Sequence, residues 1–421
     1  MSDPRDPRPL DPNDPRPLDP TGAALHADAA ALREAGAVCP VTLPDGVPAM
    51  IVSRYRELRD FLADPKVAKN AAHFAALQEG RVPAQWQLNA FALVKGMTTA
   101  DGDDHRRLRG LATKAFTPRR VAALRPRIEE LAARLLDALP GHADADGVAD
   151  LRAAYAYPLP MGVICELLGV GPAHRDRLHT LSHQLVSTTT GGAEAMAAQR
   201  ETYAILARVV AERRAAPGDD LTSALIAAGG SDGEEARLSD EELTGTLLLM
   251  LVAGHETTLN LIVNAVRALS GHPDQLALVL AGEVSWDAVV EETLRWDGPV
   301  ANFPFRYPIT DLVVDGTTVP RGTAVLAGYA AAGRDPREYG PDAGRFDITR
   351  PAGRHLAFGH GAHYCLGAPL ARLEAVIALR SLYAAHPRLT LAVPDAELPP
   401  LPGFVGNSAA ALPVRLDPPA A

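Results

Sequence analysis

Aromatic residues are scarce: Phe, Trp and Tyr make up 5% of the 421 residues, while hydrophobic residues as a whole reach 47%. Ala, Leu and Val must therefore fill the core. Ala and Leu are the best helix formers, whereas strands favour β-branched and aromatic side chains, so the bias is toward helix. Cysteine is scarcer still. Cys39, Cys165 and Cys365 are too few and too scattered for a disulfide framework, which excludes a small stapled scaffold and points to a reducing cytosol. Basic charge is in deficit. The net charge of −10 is the wrong sign for a nucleic-acid binder. Long apolar runs are missing too: the longest, around Leu247–Ala253, falls well short of the roughly 20 residues of a membrane span and leads into His255 and Glu256. No basic segment followed by an apolar run opens the chain, so no export signal is predicted. These absences describe a cytoplasmic protein that engages neither membrane nor nucleic acid.

What is present divides into a tail and a long globular stretch. The unit DPRPLDP occurs at Asp6–Pro12 and again at Asp14–Pro20. Proline at that density blocks helix and sheet, so residues 1–20 read as a disordered, polyproline-like tail. Residues 21–421 read as one domain, long enough to bury a core and enclose a large ligand. A strand is predicted at Met50–Ser53 and a helix at Arg54–Ala63, followed by a long irregular stretch, Asn70–Thr99, of the kind that usually carries function. Helices are predicted at 100–115, 118–139, 157–168, 173–188, 193–216 and 239–270. After Pro299, Ile309–Val319 and Thr323–Ala327 alternate and carry Val and Thr, which reads as a small antiparallel sheet turned at Asp315-Gly316. A Pro- and Gly-rich coil, Gly333–Gly361, leads to a last helix, Ala368–Ala385, and a tail of strand and loop. The fold class is mainly α with a minor β region.

The segment Phe358-Gly-His-Gly-Ala-His-Tyr-Cys365-Leu-Gly367 carries the most chemical information. Two glycines before the cysteine permit a tight backbone path. A helix begins just after it, so the helix dipole and free backbone N–H groups favour a thiolate at Cys365. Taken alone, a single cysteine is most often a buried structural residue, and a nucleophile is the next reading. Zinc needs about four ligands; His360, His363 and Cys365 crowd together with no evident fourth.

The segment resembles the haem-binding loop of the cytochrome P450 family, F-x-x-G-x-x-x-C-x-G, at every fixed position. The resemblance implies haem b (protoporphyrin IX iron) with Cys365 as metal ligand, and Phe358 near the sulfur. It implies a haem buried between the long helix 239–270 and the Cys365 loop and helix. Ala253-Gly254-His255-Glu256-Thr257 matches the family's distal pattern [AG]-G-x-[DE]-T. There the glycine makes room over the haem, and the acid–alcohol pair, Glu256 and Thr257, is implied to be catalytic. Cleaving dioxygen consumes two electrons and two protons; a hydroxyl can hold the oxygen and a carboxylate can relay protons from water. His255 is expected to point elsewhere, with no catalytic role. His105 and Arg109, spaced i, i+4, match the family's H-x-x-x-R; read without the family they are a solvated basic face. With Arg306 and His363 they form the implied haem-propionate set, and Ala253, Gly254 and Gly367 complete the cofactor contacts. Glu292 and Arg295, one helical turn apart and 70 residues ahead of Cys365, match the family's buried ion pair, and Arg345 is expected to complete it as a structural triad.

By resemblance the chain is a soluble bacterial monooxygenase that takes electrons from a ferredoxin-type donor. Arg106, Arg107, Lys114, Arg119 and Arg120 would fall on the proximal side of such a fold, either as a docking face for an acidic redox partner or as a solvated face. The text around Ala154-Tyr-Ala-Tyr-Pro-Leu-Pro-Met resembles actinobacterial macrolide and steroid hydroxylases, which implies a bulky, mostly apolar small-molecule substrate. Oxidative aryl or phenol coupling shares every motif and is the alternative. A peroxide-driven enzyme is disfavoured by the intact Glu256-Thr257 pair, and a non-catalytic helper by the intact Cys365 as well. The pocket is expected to draw on Asn70–Thr99, Leu181–Thr190, Leu249, Val252, Val300–Phe303 and Phe404-Val405.

Overall fold

A computed structural model describes residues 15–186, 190–228, 238–351 and 353–416. Its axis is the helix Asp240–Gly271, opened by a capping box in which Ser239 and Glu242 each satisfy the other's backbone N–H. By length and composition this helix could cross a membrane. However, 72% of its most apolar 18-residue window is buried inside the protein, so it is the core helix of a helical assembly. Its threonines are tolerated because Thr244, Thr246 and Thr257 donate their hydroxyls to carbonyls four residues back. Helices Pro158–Leu167, Gly192–Ala215, Trp286–Trp296 and Ala368–Ala385 pack around it.

The helix expected over 118–139 is two, Pro118–Ala123 and Arg125–Ala138. Pro126 lacks an N–H and suits only a first turn, so it starts the second helix. The irregular stretch after Asn70 contains single turns at Ala71–His73, Ala75–Gln78 and Asn89–Ala92. Helices at Leu25–Ala35, Leu221–Ala227 and Pro273–Leu280 were not anticipated.

The main sheet has six strands in the order Arg16–Pro17, Val38–Thr42, Pro48–Val52, Val325–Gly328, Asn302–Pro308 and Val67–Ala68. Two expectations are corrected here. First, the tail does not stay loose to residue 20: Arg16 and Pro17 pair in parallel with Val41 and Thr42, and Leu18 is buried. The earlier copy, Asp6–Pro12, lies outside the described residues. Second, the hairpin Leu312–Val314 with Thr317–Val319 forms as predicted, with Asp315 and Gly316 at φ 47° and 77°, as a tight two-residue turn requires. But Val325–Gly328 does not extend it; that strand is buried along its whole length and belongs to the centre of the main sheet.

The coil 333–361 is held by one ion pair. Arg295 Nε and Nη2 donate to Glu292 at 2.7 and 2.6 Å. Its remaining N–H groups reach the carbonyls of Gly333, Ala343 and Arg345 at 2.7–2.8 Å. Glu292 in turn accepts the Asp347 N–H at 2.8 Å. Arg345 therefore contributes only a carbonyl, and its side chain is exposed. The guanidinium that approaches Glu292 is Arg350, at 3.7 Å, which also pairs with Asp342.

Glu292 and Arg295 are both almost fully buried. Removing one leaves the other as an unpaired buried charge. Arg295→Ala should cost about 3–5 kcal/mol, measured as a lowered urea midpoint with unchanged slope; a loss below about 1 kcal/mol would show that Arg350 suffices for Glu292.

Candidate functional site

An apolar cavity lies between the long helix and the Cys365 segment. Leu249, Ala253, Gly254, Thr257 and Leu261 face it from one side, and Phe358, Cys365, Gly367 and Leu370 from the other. Gly359 and Gly361 hold φ of 74° and 73°, which L side chains rarely adopt. A Cβ on Gly361 would also fall 2.7 Å from the Leu62 carbonyl oxygen. The Cys365 N–H donates to the Phe358 carbonyl at 2.8 Å and closes the loop. Gly367 precedes the helix Ala368–Ala385, and the N–H groups of Gly367 and Ala368 donate to the Cys365 sulfur. Burial pushes the thiol up, and those N–H groups with Arg109 and Arg372 pull against it without prevailing. A cation on the sulfur reverses that balance, because a metal-bound thiol is deprotonated. Phe358 is clamped on its other side by the Arg372 guanidinium, 4.5 Å from the ring centre.

One edge of the cavity is crowded with basic groups. Arg109, Arg306 and His363 line it, together with Lys69. His105 stacks on His363 with ring centres 4.2 Å apart, and its Nε2 is buried without a hydrogen-bond partner. Lys69 and Arg306 are buried, and among the described residues neither has an ion-pair partner. Burial, then Arg306, His105, Lys69 and Arg109, depress His363 to about 2. Arg109 donates to the Tyr364 carbonyl at 2.6 Å, tying this edge to the cysteine loop. Buried basic groups around an apolar space fit a flat apolar ring that carries carboxylates, with Arg109, Arg306, His105 and His363 placed to hold them. The structure brings these four together. Lys69 and the cavity-lining Tyr329 are additions; a lone lysine or tyrosine in sequence carries no such signal.

On the long helix, Ala253, Gly254 and Thr257 face the cavity, and the Thr257 hydroxyl donates to the Ala253 carbonyl at 2.7 Å. A Cβ on Gly254 would meet Ile164 Cδ1 at 2.9 Å, so this glycine sets the approach of helix Pro158–Leu167 as well as the width of the cavity. Glu256 is turned away from the cavity. It is buried, and its Oε1 accepts no hydrogen bond. That oxygen lies 3.5 Å from His255 Nε2 and 3.8 Å from His179 Nδ1. Burial raises the Glu256 carboxyl, but His255, His179 and Arg152 outweigh it and hold the group at about 2, ionised at neutral pH. His255 points away from the cavity, as expected, and lies beside the acid. Val252, Leu181, Phe404 and Val405 do not line the cavity; Leu249, Val300, Phe303, Met97 and Thr98 do. The part of the expected segment at 187–189 lies outside the described residues.

Residues 286–383 match the family model described as Cytochrome P450. The chain is 40% identical over 396 residues to 2-hydroxy-5-methyl-1-naphthoate 7-hydroxylase of Streptomyces carzinostaticus, covering 94% of this chain and 96% of that protein. It is 41% identical over 369 residues to vitamin D(3) 25-hydroxylase of Pseudonocardia autotrophica, covering 87% and 88%. Its fold is similar to the solved structure of CYP154C4 from Streptomyces sp. W2061, with a TM-score of 0.92 and 44% identity over 96% of this chain and 98% of that one.

The helix after Cys365 carries Glu374, fully buried, with neither carboxylate oxygen hydrogen-bonded. Burial raises its pKa well above the ordinary value, opposed only by Thr258 of the long helix. A raised folded-state value stabilises fully below the unfolded pKa of about 4.3 and less as pH climbs toward the folded value. Glu374→Gln should therefore stabilise the protein at neutral pH and flatten its stability between mildly acidic and neutral pH. Urea midpoints at two pH values check this; an unchanged pH slope would mean Glu374 does not carry it.

Proposed function

The chain belongs to the cytochrome P450 family, and from that premise we propose how its residues divide the work of a haem b monooxygenase. Cys365 is the thiolate ligand of the haem iron. His105, Arg109, Arg306 and His363, with Lys69, hold the propionates. Ala253 and Gly254 would border the bound ring from the long helix, and Phe358 and Gly367 would border it from the sulfur side. When bound, the haem supplies reductive activation of dioxygen, and the thiolate's electron donation favours O–O cleavage. The protein contributes protons and placement. Thr257 offers its hydroxyl at the cavity wall, and Glu256, ionised and facing the His179 side, takes protons from there and passes them toward Thr257.

The observation that carries this reading is the amide-hydrogen-bonded sulfur of Cys365 facing an apolar cavity whose edge collects buried cations without ion-pair partners. The substrate is a bulky, mostly apolar small molecule of the natural-product kind. Met97, Ile164, Leu249, Val300 and Phe303 offer it an apolar surface, and the relatives named above hydroxylate a substituted naphthoate and vitamin D(3). Electrons come from a ferredoxin-type donor. Its docking centres on Arg119 and Arg120, which are exposed, because Arg106 and Arg107 are paired with Asp103 and Glu242. Three free cysteines suit work in a reducing cytoplasm.

Dithionite reduction under carbon monoxide tests the ligand. The wild-type protein should show the red-shifted Soret band of a thiolate opposite carbon monoxide, and Cys365→Ala should lose it; a band that survives the substitution assigns the ligand elsewhere. Glu256→Gln should keep the band but lower product formed per NADH and turnover by about 10²-fold. Undiminished turnover would remove Glu256 from the proton path.

A further inference from the structure

Behind the long helix, on the side away from the cavity, three metal-ligating atoms converge. His179 Nδ1, on helix Arg175–Val186, lies 3.4 Å from His255 Nε2 and 3.8 Å from Glu256 Oε1, and those two are 3.5 Å apart. A tetrahedral cation with bonds of about 2.0–2.1 Å holds its ligands roughly 3.3 Å apart, so each side of the triangle is within about half an ångström of that size.

The geometry points to a three-ligand transition-metal site formed by His179, His255 and Glu256, of the class that binds Zn²⁺.

Each ligand is prepared for that role. The His255 Nδ1 donates to the Leu251 carbonyl at 2.8 Å, so Nε2 is the ring nitrogen that faces the triangle as a ligand atom. The His179 ring is held against Tyr157, with ring centres 3.8 Å apart. Its Nδ1 faces His255 Nε2 at 3.4 Å, and as a ligand it presents the lone pair there with the ring proton on Nε2. Glu256 Oε1 is buried and accepts no hydrogen bond, an unsatisfied anionic oxygen aimed into the triangle. A cation satisfies it. His179 remains 28% exposed, which gives the ion a way in and leaves room for water at a fourth position. Two imidazoles and one carboxylate favour zinc and its neighbours over magnesium or calcium, which prefer all-oxygen shells. Arg152 sharpens this choice. Its Nη1 is committed to Asn260 at 2.9 Å and Ser408 at 3.4 Å, and its charge offsets that of Glu256, so a cation held mainly by charge gains little here. Occupancy fixes the Glu256 carboxylate on the metal and withdraws it from proton transfer, a consequence that rests on the role assigned to Glu256 above.

The test is calorimetric titration of chelator-treated, haem-loaded enzyme with Zn²⁺, with bound zinc counted after gel filtration. One equivalent should bind. His179→Ala should weaken it at least about tenfold, while His183→Ala, one turn further on the exposed face, should leave it intact; the carbon monoxide band of each variant confirms that it is folded. No stoichiometric binding to the wild type, or equal binding by His179→Ala, overturns the site. Binding that His179→Ala abolishes, with turnover indifferent to Zn²⁺, upholds the site and removes the proton role of Glu256.

Discussion

The guanidinium of Arg295 uses all five of its N–H donors inside the protein, two on Glu292 and three on carbonyls of the coil that follows. That coil has little regular structure of its own, yet it must deliver the Cys365 loop to the wall of the cavity. Local hydrogen bonding cannot fix such a path, so a single buried cation acts as its hub. Gly333 shows how tight the arrangement is: a Cβ there would fall 2.1 Å from the Arg295 carbonyl oxygen. Burying an ion pair rarely adds net stability over apolar packing, but it leaves one geometry satisfied and the others with naked charge. The placement of the sulfur inherits that selectivity.

Positive charge at the cavity edge imposes a second constraint. Lys69 and Arg306 are buried, and burial lowers the pKa of both. A protein tolerates this only if a bound anion neutralises the cluster or if other elements hold the groups in place. Here the main sheet carries Arg306 on the strand Asn302–Pro308 and the cysteine loop holds Arg109. A carboxylate-bearing guest that binds there neutralises the cluster and adds to the stability of the fold.

Much of this was legible in the sequence because it is written in short-range chemistry. The glycines at 359 and 361 are needed for positive φ, the i, i+3 spacing of Glu292 and Arg295 puts both on one helix face, and Asp315-Gly316 makes its hairpin. What was missed depends on phase or on partners distant in sequence. Val252 is adjacent to Ala253, but about 100° around a helix separates neighbours, and only Ala253 lines the cavity. The same rotation separates Glu256 from Thr257 and turns the acid toward His255. Arg345 and Arg350 stand five residues apart in a coil with no periodicity to say which side chain turns inward. Val325–Gly328 alternates weakly because it is buried on both faces, and its true neighbours are strands about 275 and about 25 residues upstream of it.

The seating of Arg16 and Pro17 against Val41 and Thr42 has a consequence for the start of the chain. The seven residues that include this edge strand are repeated letter for letter at Asp6–Pro12. The copy that is seated covers the outer edge of Val38–Thr42 with Arg16 and Pro17 and buries Leu18, so the sheet ends on a proline that has no free N–H to offer a further strand.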